Sequence, residues 1–138
     1  MMAELTIFQI AGRAMSAQQV RLNTVASNLA NAGTITGSPD TAYRALRPVF
    51  ETEYAAFTKN PGVATVSAVS VERSQAAPEK RYSPGHPLAD DQGYIYATNV
   101  DTNEEMVEMM EAARQYQNNI EVIATAKSLM LKTLSVGK

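Results

Sequence analysis

The chain has 138 residues, 45% hydrophobic and 19% charged, with a net charge of −2 and a pI near 5.4. That length suits a single domain, and the slight acidity, with no run of Lys and Arg, excludes the electrostatic footprint of a nucleic-acid binder. No cysteine is present, which excludes a disulfide framework and a thiolate zinc site.

Met1 to Ile10 carries no basic residue ahead of its short apolar stretch, and no small-residue cleavage pattern follows. A cleaved secretory signal is therefore not expected. No apolar run approaches the ~18 residues of a bilayer span, so no direct membrane span is expected either.

From Glu4 to about Ala32 the only helix breaker is Gly12. Phe8, Ala11, Met15, Leu22, Val25 and Leu29 recur at spacings of three and four, with Gln18 as the polar interruption, which is the a and d seam of a heptad repeat. The spacing predicts a helix ~40 Å long. Gly33 to Pro39 is a breaker cluster that ends it.

The middle, 34–102, is expected to form a small β-rich or extended insertion. Tyr43 to Glu53 and Val63 to Arg73 are rich in β-branched and aromatic residues and read as strands, with Asn60-Pro61-Gly62 as a turn before the second. Ser83-Pro84-Gly85-His86-Pro87 and Asp90-Asp91-Gln92-Gly93 are turn-forming and lead into a short strand at Tyr94-Ile95-Tyr96.

A second helix is expected from about Asn103, with Thr102 and Glu105, or Asp101 and Glu104, spaced as a capping box. Its seam reads Met106, Met109, Ala113, Tyr116, Ile120, Ile123, Lys127, Met130 and Leu134, for a length of ~48 Å before Gly137. Glu104, Glu105, Glu108 and Glu111 near its start and Lys127, Lys132 and Lys138 near its end complement the helix dipole.

The fold expected from these patterns is mainly α with a small β-rich insertion. The terminal helices, 1–33 and 103–138, would pair as a coiled-coil hairpin and form one helical core domain. Two such helices bury too little apolar surface to be stable alone. The first carries only Glu4, Arg13 and Arg21 as charges, and small neutral residues fill its other positions, which suits burial by neighbouring subunits on several sides. The terminal segments are accordingly expected to order on assembly.

Met15 to Ala32, with its core Ala26-Ser27-Asn28-Leu29-Ala30-Asn31, resembles the N-terminal signature of flagellar rod and hook proteins. Gly85-His86-Pro87-Leu88-Ala89-Asp90, Gly93-Tyr94-Ile95-Tyr96, Asn99-Val100, Glu104-Glu105-Met106-Val107 and Ala126 to Leu134 resemble the short proximal-rod members of that family. The resemblance implies a structural subunit of the basal-body rod that packs with copies of itself and with other rod subunits into a hollow drive shaft crossing the periplasm. It also implies export, unfolded and without a cleaved signal, by the flagellar type III apparatus.

The candidate assembly residues are Phe8, Met15, Leu22, Val25, Asn28, Leu29 and Asn31 on the first helix. On the second they are Met106, Met109, Tyr116, Ile120, Ile123, Met130 and Leu134. A soluble adaptor that binds one partner helix in the same seam is the alternative. No catalytic, metal or cofactor site is expected. His86 is the single histidine, a ligand set needs three or four convergent groups, and the glutamate cluster lacks the Glu-x-x-His partner of a carboxylate-bridged metal. No phosphate loop or nucleophile elbow is present.

Overall fold

The computed structural model describes residues 6–54 and 64–137. In chain order these form α1 (Ile7–Ala30), β1 (Ile35–Thr36), β2 (Leu46–Tyr54), β3 (Ala64–Arg73), β4 (Glu79–Tyr82), β5 (Tyr94–Ala97) and α2 (Thr102–Val136). The Asn60-Pro61-Gly62 turn lies outside the described residues. β1 emerges from the Gly33 to Pro39 breaker cluster, and β4 from a stretch ahead of the Ser83 turn where the sequence predicts no strand; β4 is exposed along its whole length, so it offers no apolar alternation to recognise.

Both helices start at caps. Thr6 and Gln9 form a reciprocal box ahead of α1: Gln9 N donates to Thr6 Oγ1 (3.2 Å) and Thr6 N to Gln9 Oε1 (2.9 Å). Ahead of α2, Asp101 Oδ1 accepts from Asn103 N (2.9 Å) and Glu104 N (3.2 Å). The carboxylate of Glu104 turns to Arg47 instead of completing a box, and that of Glu105 is buried.

The expectation of a mainly α coiled-coil hairpin is overturned: the fold is mixed α/β, with a three-stranded antiparallel sheet (β1-β5-β4) and a two-stranded one (β2-β3). The β2–β3 hairpin is not an appendage. It packs on α1, which lies between the hairpin and α2. Part of the neutrality of α1 thus serves a neighbour within the chain. In the hairpin, Val49 pairs with Ser70 and Phe50 with Ala68, so Val69 is an extra residue that bulges β3.

α1 and α2 run antiparallel, with Asn28 beside Glu105, Arg21 beside Glu108, and Ile7 sharing a groove with Val122 and Leu129. The buried and half-buried residues of α2 include Glu105, Met109, Ala112, Tyr116, Asn119, Ile123 and Ala126. These keep the heptad spacing, but every second position lies one residue before the expected one. The substitution is of Glu105, Ala112, Asn119 and Ala126 for Met106, Ala113, Ile120 and Lys127. Small or hydrogen-bonding side chains thus face α1, while Met106 (53% exposed) and Ile120 (44%) face out. The expected seam failed because it followed the largest apolar residues, whereas close approach of helices selects small ones.

Among the described residues the apolar core is correspondingly slight: Ala11, Ala17, Val25, Ala45, Ile95, Ala97 and Ala112. In β5, Ile95 and Ala97 point inward and alternate with half-buried Tyr94 and Tyr96. Gly93, with φ +82°, closes the turn before β5, and a Cβ there would meet Pro84 and Tyr82 at 3.0 and 3.1 Å.

Candidate assembly surface and its internal hub

The fourteen candidate residues divide into three groups. Val25 and Asn28 are buried within the chain, Phe8, Met15, Leu22, Leu29, Asn31, Met109, Tyr116 and Ile123 are half-buried, and Met106, Ile120, Met130 and Leu134 are exposed. The candidate assembly surface is therefore concentrated on α2. The sequence reading missed Val107, Met110, Leu129, Leu131 and Val136, which are exposed on the same helix.

α2 is also longer than its partner, at 35 residues against 24. Beyond Ala126 every described residue is exposed, through Met130 (55%) and Leu134 (64%) to Val136 (84%). Successive residues lie 100° apart around a helix, so Leu129, Met130, Leu131, Leu134 and Val136 distribute apolar surface over more than one face. Such a surface marks a binding region when it is large and continuous.

Asn28 belongs to a different construction. Fully buried, it uses both donors and both acceptor positions of its amide. Nδ2 donates to Leu46 O (2.9 Å) and Glu105 Oε2 (3.0 Å), while Oδ1 accepts from Leu46 N (2.8 Å) and Tyr43 Oη (2.9 Å). Glu105, also at 0% exposure, receives Arg47 Nη1 at 2.6 Å, and the other guanidinium nitrogen reaches Glu104 at 3.2 Å. Three segments distant in sequence meet here: the last turn of α1, the entry to β2, and the first turn of α2. Asn31 caps α1, and its Nδ2 donates to Ser27 O at 2.9 Å.

Glu104, Glu105, Glu108 and Glu111 each have a partner besides the helix dipole. Glu108 accepts from Arg21 Nε at 2.9 Å. Glu111 accepts from Gln115 (2.9 Å) and Arg114 (2.5 Å), and the Gln115 hydrogen bond, aided by the two arginines, holds its carboxyl below the usual range. Among the described residues no group of three or more His, Asp or Glu could hold a metal ion. His86 Nδ1 accepts from Leu88 N at 3.1 Å and so shapes its own loop. Asp90 orders the turn into β5 by accepting from Gln92 N (3.0 Å), Tyr94 N (2.8 Å) and Tyr96 Oη (3.2 Å).

A long, partly uncovered helix, a slight core and side-chain clusters that stabilise turns and junctions are the marks of a subunit that works by assembling. Residues 8–35 match the family model described as "Flagella basal body rod protein", and residues 91–136 match "Flagellar basal body rod FlgEFG protein C-terminal". The chain is 52% identical to the flagellar basal-body rod protein FlgC of Salmonella typhimurium, with 99% of this chain and 100% of that one covered. At the same coverage it is 50% identical to FlgC of Escherichia coli O157:H7 and 45% to FlgC of Yersinia enterocolitica. The chain belongs to the FlgC family of flagellar basal-body rod proteins. It is a structural subunit of that rod, assembled with other basal-body components, and not an enzyme.

Proposed function

We propose that the chain builds the proximal part of a hollow rod by packing α1 and α2 against copies of itself and other rod subunits. In this reading the shaft crosses the periplasm and transmits torque, and each subunit reaches it unfolded through the flagellar type III export apparatus without a cleaved signal. The observation that carries the reading is the apolar surface of the last three turns of α2, where Met130 and Leu134 stand free of α1. Leaving such a helix end in water is unfavourable by ~25 cal/mol per Å² of apolar area, so covering it drives association.

The experiment is Met130→Asp with Leu134→Asp in a motile host. Because both side chains are exposed, the purified variant should keep the wild-type fold by circular dichroism, while basal bodies lose the subunit and cells lose motility. Normal motility would sink the reading. A discrete small complex with one partner, in place of polymers with other rod subunits, would favour an adaptor.

A further inference from the structure

Among the described residues, every ion pair between different elements falls on a triangle formed by α1, β2 and α2, and each side of the triangle carries one arginine. Arg13 of α1 reaches Glu53 of β2 (3.0 Å) and also Thr65 of β3 (3.1 Å). Arg21 of α1 grips Glu108 of α2. Arg47 of β2 grips Glu104 and Glu105 of α2. The three clasps are unequal. Arg13 and Glu53 are both about half exposed, a setting in which an ion pair contributes little. Only the β2–α2 clasp contains a fully buried carboxylate, Glu105. Losing one partner of a buried, hydrogen-bonded charge is far more disruptive than losing an exposed pair.

The hairpin is otherwise suited to move as one body. Its strands pair along their whole length, from Leu46 with Arg73 to Tyr54 with Ala64. At its base, Ser74 N donates to Ala45 O (2.8 Å) and Ala45 N to Asn99 Oδ1 (2.7 Å), which gives both strands one anchored root. Among its described residues outside that root only Thr65 is buried, the rest of its face on α1 is half-buried, and Phe50 and Val71 are exposed, so its hold on α1 is partial.

We propose that Glu105 is a latch: gripped by Arg47, it fixes the β2–β3 hairpin against the helix pair, and on its release the hairpin swings about the Ala45–Ser74 root while α1 and α2 stay paired. The seam beyond Glu105, from Met109 through Ala112 and Asn119 to Ala126, and the Arg21–Glu108 clasp hold the helices without the hairpin, and a glutamine at position 105 can still accept from Asn28. In a rod such a device lets one subunit present its hairpin at different angles to different neighbours. That use rests on the proposed function, but the latch does not.

The absence of cysteine allows a direct test in the full-length chain. Nitroxide labels at Thr52→Cys and Gln117→Cys report hairpin against α2, and labels at Ser16→Cys and Gln117→Cys report α1 against α2. All three positions are exposed. Glu105→Gln should broaden the hairpin distance distribution about twofold and leave the helix pair unchanged. Arg47→Lys keeps the charge but cannot hold Glu104 and Glu105 together, so it should broaden the first distribution to a lesser degree. A hairpin distance as narrow as wild type in both variants would overturn the latch. So would broadening of both label pairs, which would make Glu105 a support of the whole fold. Neither measurement involves a rod, so failure here leaves the proposed function untouched.

Discussion

Asn28 joins segments 15, 18 and 77 residues away, and its identity follows from that. Asn28→Ala would leave the Leu46 amide and carbonyl and Glu105 Oε2 short of a partner at a buried to part-buried junction, at ~1–3 kcal/mol per group, while Tyr43 Oη keeps Ser27 Oγ. We expect a loss of about 3 kcal/mol or more in urea unfolding. Asn28→Asp should lose at least as much, because it faces Glu105 with a second carboxylate. A change below about 1 kcal/mol for Asn28→Ala would remove Asn28 from the centre of the fold. The motif containing Asn28 is visible in sequence, but its partners are not, so a structural keystone reads there as an assembly residue. Asp90 makes a pH-dependent case. The Tyr94 amide, ahead of that of Gln92 and the Tyr96 hydroxyl, holds its carboxyl below the ordinary value. Burial, and then the hydrogen bond to Asp90, push the Tyr96 phenol up. A depressed acid favours folding above its unfolded pKa of ~3.9, and the benefit fades as pH falls through the folded value. The stability gap between wild type and Asp90→Asn should therefore narrow from pH 7 to pH 3 in urea melts. A gap independent of pH would show that the carboxylate charge is not what orders the turn.

At the scale of elements, helix positions were legible and helix faces were not. The β2 and β3 segments stood out by β-branched content, since Tyr43 to Glu53 and Val63 to Arg73 overlap Leu46–Tyr54 and Ala64–Arg73. Their packing on α1 is a long-range fact that strand propensity does not contain. The face of α2 was misjudged because Ala112, Asn119 and Ala126 form as regular a heptad as Ala113, Ile120 and Lys127. Hydrophobicity ranks Ile120 first, whereas an interface already crowded by α1 selects Ala112. Ala112, at 0% exposure, makes this testable. Ala112→Leu should cost about 1–3 kcal/mol by overpacking the seam. Ala113→Leu, on the exposed neighbouring face, should stay within about 0.5 kcal/mol of wild type. Equal effects in thermal unfolding would return the seam to the phase that the large apolar residues suggest.

For the whole molecule, the slight core among the described residues and the outward apolar surface of α2 point the same way: in the proposed assembly, neighbours bury much of the surface that stabilises this chain. Isolated helical segments shorter than ~12–15 residues are marginal in water. Among the described residues the stretch 127–136 extends past Ala126 with every residue exposed and only Ile7 sharing a groove with it, at Leu129, so its continuity with the packed part of α2 is its chief support. In the monomer, amides 127–136 should exchange more than tenfold faster than amides 109–123, because the first group opens by fraying and the second only when α2 leaves α1. Within assembled rods the two stretches should become equally slow, as neighbours cover Met130 and Leu134 and fraying is suppressed. Hydrogen exchange on monomer and rod checks both halves of the statement. Slow exchange of 127–136 in the monomer would mean that the helix end is stabilised within the chain itself, and the exposed turns of α2 would then lose their claim to be the assembly surface.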